Sequence, residues 1–245
     1  MKLSVIMPVF NERNTIQTIV DQVEAVSIDK EVLIVDDAST DGTREFILSR
    51  YGQRPGFKVI LHEKNKGKGS SIRTAIEHIS GDAIIIQDAD LEYDPQDFIA
   101  ISKKLEEPGV QVVYGTRFGR VNKFLFLWHW LCGRFQKKHY EIRYLHHFLG
   151  IQFLNLLTNV LYAARITDEA TCYKAFKKEV LEKIRLRSTG FEFCPEITAK
   201  VRKAGYPIFE VPIAYRPRSR KEGKKLTWRH GLEAIAALIK YRFVD

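Results

Sequence analysis

Three carboxylates spaced two residues apart could bind a divalent cation. Asp88, Asp90 and Glu92 follow directly on an apolar run, Ala83–Ile86. In an extended chain, side chains two residues apart point to the same side, so two or three of these oxygens can share one ion. A hard cation held in this way can also bind substrate phosphates. The alternative is a solvated acidic turn that caps a helix near Pro95, but the position after an apolar strand favours the metal site.

Two other apolar runs also end in residues that could contact a ligand. These are Pro8, Phe10, Asn11 and Glu12 at the first run, and Asp36, Asp37, Ser39, Asp41 and Gly42 at the second. Ligands of open parallel sheets bind beyond the carboxyl ends of the strands, so a site is expected here. The glycine-rich motifs of dinucleotide-binding enzymes and of P-loop enzymes do not occur, which argues against both classes.

Alternating strand and helix patterns in the first half would position these residues. Five runs rich in Val and Ile predict buried strands at residues 3–9, 31–36, 57–62, 82–87 and 110–114. Apolar residues with helical spacing lie between them: Ile16, Ile19, Val20 and Val23; Ile72, Ala75, Ile76 and Ile79; Phe98, Ile101 and Leu105. The alternation predicts an α/β fold with a mostly parallel central sheet and helices on both faces.

The second half of the chain is more aromatic and more basic. Residues 123–130 are aromatic, residues 144–162 predict one or two amphipathic helices, and residues 228–241 predict a final helix. A strand is predicted at residues 211–216, ahead of a basic stretch at 217–225. Aromatic and basic side chains between 128 and 148 would suit the headgroup region of an anionic membrane, although packing as core or against another subunit is an equal alternative.

The overall composition excludes some classes of protein. The chain has 245 residues and a formal net charge of +9, from 39 Lys and Arg against 30 Asp and Glu, which suggests an anionic partner. Cys132, Cys172 and Cys194 form neither a disulfide framework nor a zinc pattern, which favours a reducing compartment. Residues 1–9 lack the features of a signal peptide, and no apolar stretch has the length of a membrane span.

Five ordered segments resemble motifs of a known enzyme family. They are residues 8–12 (PVFNE), 35–43 (VDDASTDGT), 65–69 (NKGKG), 87–90 (QDAD) and 115–118 (GTRF). In this order they resemble the family 2 glycosyltransferases of the GT-A fold, and most closely the dolichol-phosphate mannose synthase branch. The resemblance implies that residues 1–118 form a nucleotide-sugar-binding half and residues 119–245 an acceptor-side half of one continuous domain.

The resemblance also implies roles for individual residues. Those that would surround the nucleoside of the donor are Pro8, Phe10, Glu12, Val35 and Asp37. Those that would bind the rest of the donor, including its phosphates, are Lys68, Asp88, Ala89, Asp90, Arg117, Lys174, Arg218 and Lys225. A Mg²⁺ or Mn²⁺ ion would be held by Asp88, Asp90 and Glu92. Glu92 stands where the branch often has Gln, and Phe10 stands where the family often has Tyr.

The implied chemistry is transfer with inversion, in which a cation near Asp88 and Asp90 stabilises the departing diphosphate. A hydrolase needs a pair of carboxylates that flank the glycosidic bond, whereas a single in-line attack does not. A lipid phosphate is largely ionised near neutral pH and can attack directly, whereas a sugar hydroxyl needs a base. Asp168 is the predicted base, and Glu196 is the reserve candidate.

Four functional hypotheses follow. The first is a metal-dependent glycosyltransferase acting on a polyprenyl or dolichyl phosphate, attached peripherally to the cytoplasmic face of a membrane. The second keeps the nucleotide-sugar donor but transfers to a saccharide of a cell-envelope or capsule polymer. The third, a nucleic-acid-binding module, is disfavoured because carboxylates at strand ends repel a phosphate backbone. An inactive scaffold is disfavoured by the presence of both Asp88 and Asp90.

Overall fold

The computed structural model describes residues 1–118, 145–218 and 227–244. The strands in these ranges are β1 Leu3–Val9, β2 Lys30–Asp36, β3 Phe57–Leu61, β4 Ala83–Ile86, β5 Val112–Thr116, β6 Lys174–Lys177 and β7 Phe209–Pro212. The helices are α1 Ile16–Ala25, α2 Thr43–Tyr51, α3 Lys68–Ile76, α4 Asp97–Leu105, α5 Leu145–Tyr162, α6 Lys178–Glu182, α7 Phe193–Lys203 and α8 Trp228–Phe243. The aromatic segment 123–130 and Lys225 lie outside the described residues.

The seven strands form one sheet in the order β3-β2-β1-β4-β6-β5-β7. All neighbouring pairs are parallel except the two that involve β6. The register pairs Val9 with Asp36 and Ile6 with Ile86, so the chain leaves β1, β2 and β4 at the same edge of the sheet. The predicted mostly parallel α/β sheet is therefore confirmed, and the acidic segments after these strands come together.

The apolar periodicity explains how the sheet is covered. Every residue of β4 and β5 is buried, which requires packing on both faces of these strands. Helix α1 buries the four residues that gave it helical spacing, and α4 buries Phe98, Ile101 and Leu105. Each fully buried aliphatic side chain contributes about 1.5–3 kcal/mol through removal of apolar surface from water, so this pattern fixes which helix faces meet the sheet.

Strand β6 is the main feature that the sequence patterns do not predict. It lies antiparallel between β4 and β5, with Ala175 opposite both Ile85 and Val113. The strand is only four residues long and begins and ends with lysine, so no apolar run marks it. Its stability comes from pairing on both sides. Because β6 and β7 belong to the second half of the sequence, that half contributes strands to the same sheet.

Strands β5 and β7 are displaced from their predicted positions by two or more residues, whereas the other predicted strands agree to within one residue at each end. Strand β5 begins two residues later than expected, because the amide of Val110 closes a turn onto the carbonyl of Glu107. Strand β7 begins and ends earlier than the predicted segment 211–216, since its pairing with β5 runs from Phe209 to Pro212. Beyond it, Tyr215 forms an isolated bridge to Tyr93 instead.

Helix α5 carries an exposed apolar stripe on one face. Its members, Leu149, Phe153, Leu156 and Val160, are spaced four, three and four residues apart, and each is more than half exposed. The opposite face buries Asn155 and Thr158, and the helix packs against α7 and α8. In the three described ranges, no helix has both the length and the apolar character needed to cross a membrane.

Candidate active site

The segments that follow β1, β2 and β4 line one cavity of about 900 Å³. Eleven of the residues predicted to bind the donor or a metal ion lie in its wall: Pro8, Phe10, Glu12, Asp37, Lys68, Asp88, Ala89, Asp90, Glu92, Arg117 and Arg218. Val35, Lys174 and Asp168 do not line this cavity, and Lys225 lies outside the described residues. The parallel register of the sheet is what brings the other eleven together from distant parts of the sequence.

Asp37 is held rigidly at the rim of the sheet. Its Oδ1 accepts hydrogen bonds from the amide of Lys66 (2.8 Å) and from Nδ1 of His62 (2.7 Å), and its Oδ2 accepts one from the amide of Gly67 (2.7 Å). Gly67 has φ +89, and a Cβ there would lie 2.5 Å from the carbonyl oxygen of Thr189. Only glycine fits at position 67, because any side chain there would collide with Thr189. The close packing holds the 65–69 loop where its backbone amides can donate to Asp37.

Lys68 and Asp88 form an ion pair inside the cavity. The Lys68 ammonium lies 2.6 Å from Oδ1 and 2.7 Å from Oδ2 of Asp88. Burial by itself would lower the pKa of Lys68, but the negative charge of Asp88 outweighs it and holds the pKa well above its usual value. The lysine is therefore a permanent cation beside the position where the donor's phosphates are expected.

Asp90 lies among other negative charges. Its Oδ1 accepts a hydrogen bond from the amide of Glu92, and its Oδ2 lies 3.4 Å from a guanidinium nitrogen of Arg218. Arg218 also donates to both oxygens of Glu12, at 3.1 and 3.2 Å. Burial, with the charges of Asp88 and Glu92, raises the pKa of Asp90 to about 7 despite Arg218. The site thus holds more negative charge than its own cations neutralise.

This charge excess fits a divalent cation. Asp88 and Asp90 supply hard carboxylate oxygens two residues apart, and a Mg²⁺ ion commonly takes only one or two carboxylates together with substrate phosphates. The raised pKa of Asp90 shows that its ionised form lacks compensation, which a metal charge would provide. Among the residues that the structure describes, no group of three or more potential ligands surrounds one point. The donor's oxygens would have to complete the coordination.

Glu92 is engaged differently from the other two carboxylates. Its Oε2 accepts a hydrogen bond from the Tyr215 hydroxyl at 2.7 Å, and its Oε1 accepts one from the amide of Arg218 at 2.7 Å. The carbonyl oxygen of Glu92 accepts a further bond from the amide of Arg216. These contacts tie the segment after β7 to the segment after β4, so Glu92 positions Arg218 over the cavity.

Arg117 reaches the cavity wall but is paired behind it. Its Nε and Nη2 each donate to Asp168 at 2.7 Å, and its amide donates to the same carboxylate at 3.0 Å. Asp168 has no exposed surface. Arg117 balances the negative charge of Asp168, and this pairing argues against the predicted role of Asp168 as a base. The same ion pair explains how the buried guanidinium of Arg117 can be held in the wall of the cavity.

Glu196 and Lys174 are also occupied by structural contacts. The carboxylate of Glu196 accepts hydrogen bonds from the amides of Arg187 and Ser188, both at 2.7 Å, and pairs with Lys200. The Lys174 ammonium donates to the carbonyl of Glu169 at 2.9 Å and lies 3.8 Å from the ring centroid of Tyr114. The structure brings neither side chain to the donor end of the cavity.

The other end of the cavity is apolar. Helix α5 contributes Phe153 and Leu154, and α8 contributes Trp228, Leu232 and Ile235. One continuous space therefore joins the acidic strand ends to a groove between two helices. Phe153 belongs both to the groove and to the exposed stripe of α5.

Comparison with known proteins agrees with this arrangement. The profile described as glycosyl transferase family 2 matches residues 4–185, which is most of the chain. The chain belongs to glycosyl transferase family 2. The family resemblance inferred from the five motifs is therefore confirmed, and the match includes every acidic strand end of the cavity.

Two curated relatives match most of this chain, and a third matches about half of it. The low-salt glycan biosynthesis hexosyltransferase Agl6 of Haloferax volcanii is 28% identical over 93% of the chain and 52% of its own length. The dolichol-phosphate mannosyltransferase of Pyrococcus furiosus is 28% identical over 91% of the chain and 59% of its own length. The undecaprenyl-phosphate 4-deoxy-4-formamido-L-arabinose transferase of Enterobacter sp. strain 638 is 32% identical over 49% of the chain and 38% of its own length. The chain thus spans little more than half the length of the first two relatives.

Solved structures confirm the GT-A-type fold of this family 2 chain. Glucosyl-3-phosphoglycerate synthase from Mycobacterium tuberculosis, in complex with Mn²⁺, UDP and phosphoglyceric acid, has a TM-score of 0.68 and 20% identity, covering 100% of this chain and 79% of its own. The same synthase in complex with Mg²⁺ and UDP gives a TM-score of 0.67. At this identity the similarity concerns the fold alone.

Several residues of the family 2 site were not singled out from the sequence. Glu169, Cys172, Cys194 and Tyr215 all line the cavity, as do the apolar residues of α5 and α8. Glu169 could have been found, because it stands next to Asp168, the residue that was predicted as the base. The groove residues carried no signal beyond helical periodicity, which is equally typical of an ordinary core.

Proposed function

We propose that the chain is an inverting glycosyltransferase. In this proposal it transfers a sugar from a GDP- or UDP-sugar to a polyprenyl or dolichyl phosphate, with Mg²⁺ or Mn²⁺ as cofactor. It acts as a peripheral protein on the cytoplasmic face of a membrane. The observation that carries the proposal is the cavity itself, since its acidic end suits a cation-bound diphosphate and its apolar end suits a lipid chain.

At the donor end, different side chains would bind the base and the phosphates of the nucleotide sugar. The fixed Asp37 carboxylate can accept a hydrogen bond from a ring N–H of uracil or guanine, which both bases offer and cytosine and adenine do not. Lys68 and Arg218 place positive charge beside the phosphates. Because these side chains are already oriented by Asp88 and Glu12, they need little reorganisation when the departing diphosphate gains charge.

The metal ion would be held by Asp88 and Asp90. When bound there it neutralises charge on the diphosphate as a Lewis acid, which is the chemistry a divalent cation supplies in such sites. Glu92 keeps its contacts with Tyr215 and the amide of Arg218, so its part is to hold the covering segment in place.

At the acceptor end, the groove between α5 and α8 would receive the first part of a polyprenyl chain. The names of two relatives contain such a lipid phosphate: dolichol phosphate in one and undecaprenyl phosphate in the other. The stripe of α5 continues from the groove across the surface, and burying four such side chains in the acyl boundary contributes several kcal/mol to membrane binding.

The direct test is a transfer assay with radiolabelled GDP- and UDP-sugars, Mn²⁺ and a short polyprenyl phosphate. Asp90→Asn is expected to lower transfer by about 10²-fold or more, because several kcal/mol of charge stabilisation depend on the metal. The matched control is Asp94→Asn, four residues further along. Asp94 is exposed, and its Oδ1 accepts a local hydrogen bond from the amide of Gln96, which asparagine can also accept. Full activity of the Asp90→Asn variant would contradict the proposal.

The same assay separates the two acceptor classes. Transfer to the lipid phosphate, with none to soluble saccharides, supports the proposal. Transfer only to a saccharide would replace it with the alternative function in the synthesis of a cell-envelope or capsule polymer.

Membrane attachment is tested by flotation with vesicles that contain anionic phospholipid. Leu156→Glu with Val160→Glu is expected to abolish flotation, because both side chains project from the stripe of α5. Ile99→Glu is the matched control, since Ile99 is a similarly exposed aliphatic residue on α4. Equal flotation of the stripe variant and the control would exclude this face as the membrane contact.

A further inference from the structure

Glu169 is the carboxylate of the cavity whose contacts are incomplete. It lines the cavity but is only 1% exposed, and its Oε2 accepts no hydrogen bond among the described residues. A buried carboxylate oxygen without a partner is costly, because the energy of its lost hydration is not recovered. Because this atom belongs to a residue that lines the cavity, a ligand that binds there and brings its own hydrogen would complete its contacts.

The rest of Glu169 is held firmly in place. Its Oε1 accepts hydrogen bonds from the Thr198 hydroxyl at 3.0 Å and from the Lys174 ammonium at 3.4 Å. Its amide donates to the side chain of Asn155 in helix α5 at 2.7 Å. Three elements therefore fix one oxygen and the backbone, and they leave the second oxygen as the free acceptor.

The two carboxylates predicted from the sequence as a catalytic base, Asp168 and Glu196, are both engaged in structural contacts. Asp168 is paired with Arg117, and Glu196 is bound by two backbone amides and by Lys200. Asn155 links Glu169 to the helix that forms one side of the apolar groove. Glu169 is thus tied to the helix that lines the proposed acceptor end of the cavity.

We propose that Glu169 is the acceptor-side base, which takes the hydrogen of the attacking O–H group onto Oε2 during transfer. This inference rests on the proposed glycosyltransferase function. The oxygen of the acceptor forms the bond to the anomeric carbon as its proton passes to Glu169. The bond from that carbon to the donor's phosphate oxygen breaks, and its electron pair leaves with the nucleoside diphosphate. Glu169 ends the step neutral.

Two acceptors carry such an O–H group. A sugar hydroxyl always does, and a lipid phosphate does when it binds as the singly protonated form. The second pKa of a phosphate monoester is about 6, and entry into a partly apolar groove favours the less charged form. The proposal therefore applies to an attacking C–OH or P–OH, and the assays below distinguish the two sources.

The charged environment of Glu169 suits proton transfer near neutral pH. Burial, offset in part by Lys174, raises its pKa to about 7, close to the pH at which a base works best. The titratable and charged groups that interact with it from the surrounding elements are Lys174, Asp168, Tyr114, Cys194 and Tyr162. Burial raises the pKa of Tyr114, Cys194 and Tyr162, so none of these three gains charge in the same range.

The test compares Glu169→Gln with the wild-type chain at saturating Mn²⁺. Glutamine keeps the size of the side chain and an acceptor for Thr198 but cannot take the proton. We expect kcat to fall by about 10²-fold or more, with binding of the nucleoside diphosphate unchanged by calorimetry. The wild-type rate should rise as pH increases through about 7, and this rise should be absent in the variant. Formate should restore activity to Glu169→Ala, which a purely structural role would not allow.

Two further variants keep the result decisive. Glu169→Gln leaves the buried Lys174 ammonium without its carboxylate, so Glu169→Gln with Lys174→Met removes both charges if the single variant does not fold. Glu31→Gln neutralises a carboxylate among Ser4, Ser80 and Lys2, outside the cavity, and should leave the pH profile unchanged. Wild-type kcat in folded Glu169 variants, or a loss of donor binding equal to the loss of rate, would overturn the proposal.

The proposed function and this inference can fail separately. If lipid phosphate and saccharide both remain unglycosylated by the wild-type chain, the transferase function fails. Glu169 is then judged on hydrolysis of the nucleotide sugar, where water is the attacking O–H group. Hydrolysis that depends on Glu169 supports the base, and hydrolysis that is equal in the variant, or absent, rejects it.

Discussion

Asp168→Asn tests whether the buried Asp168 is a structural partner of Arg117 or a catalytic base. The Arg117 guanidinium is 6% exposed and the carboxylate is not exposed at all, and three hydrogen bonds of 2.7, 2.7 and 3.0 Å join them. Removing one charge of such a pair leaves the other buried without compensation, which costs about 3–5 kcal/mol. Domains typically have about 5–15 kcal/mol of stability, so the variant should fold but be much weakened.

The assay is urea and thermal denaturation of the wild type and the variant. At this chain length a loss of 1 kcal/mol lowers Tm by about 2–4 °C, so the expected decrease in Tm is about 6–20 °C. The matched control is Glu107→Gln, which removes the exposed ion pair with Lys104. Exposed pairs contribute at most about 1 kcal/mol, so the control should unfold almost like the wild type.

One result would refute this reasoning about Asp168. If Asp168→Asn kept the wild-type Tm but lost transfer and the rise of the rate with pH, the carboxylate would be acting on the acceptor. Its pairing with Arg117 would then be broken in the active enzyme. The expected result is the opposite, with a large loss of stability and a pH profile of wild-type shape in the fraction that remains folded.

Three other predictions concern the donor end. Without metal, the raised pKa of Asp90, about 7, means that the folded chain binds its proton more tightly than the unfolded chain. Stability should therefore fall as pH rises towards 7, and Asp90→Asn should flatten that fall in thermal scans. In urea denaturation, Gly67→Ala should lower the free energy of unfolding by about 1–3 kcal/mol, because Gly67 has φ +89 and the carbonyl of Thr189 leaves no room for a Cβ. Gly150→Ala is the comparison: a Cβ there meets open space, so the change should stabilise helix α5 by about 0.5–1 kcal/mol. In calorimetry, Mn²⁺ should strengthen binding of UDP or GDP but not of the corresponding nucleoside, and EDTA should reverse the effect.

Local patterns predicted the elements whose stability depends on their own sequence. Strand β1 occurs at Leu3–Val9 as predicted, and α1 buries the residues that gave it helical spacing. Helix α5 begins one residue later than predicted and ends at Tyr162, the expected residue. In β1 and α1 the apolar side chains that form the pattern are the ones that pack into the core. In α5 only part of the pattern does so, since Leu154, Leu157 and Leu161 pack against the neighbouring helices while the stripe stays exposed.

Long-range pairing determined what the patterns could not predict. Strand β6 is stabilised by β4 and β5, whose paired residues lie 60 or more positions away in sequence. Its terminal lysines make it look like a polar segment in the sequence. The same limit affects the site. The sequence places Asp168 and Glu169 side by side, but only the fold shows that Arg117 pairs with Asp168 and that the side chain of Asn155 binds the backbone amide of Glu169.

The fold also changes the meaning of the net charge of +9. Among the described residues that line the cavity there are six carboxylates and three basic side chains, and Arg117 is already neutralised by Asp168. Within the described residues, the donor end therefore has too little positive charge of its own to balance a diphosphate, which supports the proposed cation.

The positive surplus lies elsewhere in the sequence. Residues 119–144 carry a net charge of +5 and residues 219–226 carry +3, so the rest of the chain is almost neutral. These two stretches precede α5 and α8, the helices that form the apolar groove, and α5 also carries the exposed stripe. Positive charge joined in sequence to exposed apolar helix faces is the combination that binds an anionic membrane surface. In the proposed function, the anionic partner that this charge suggested is the lipid phosphate acceptor together with the bilayer that would contain it.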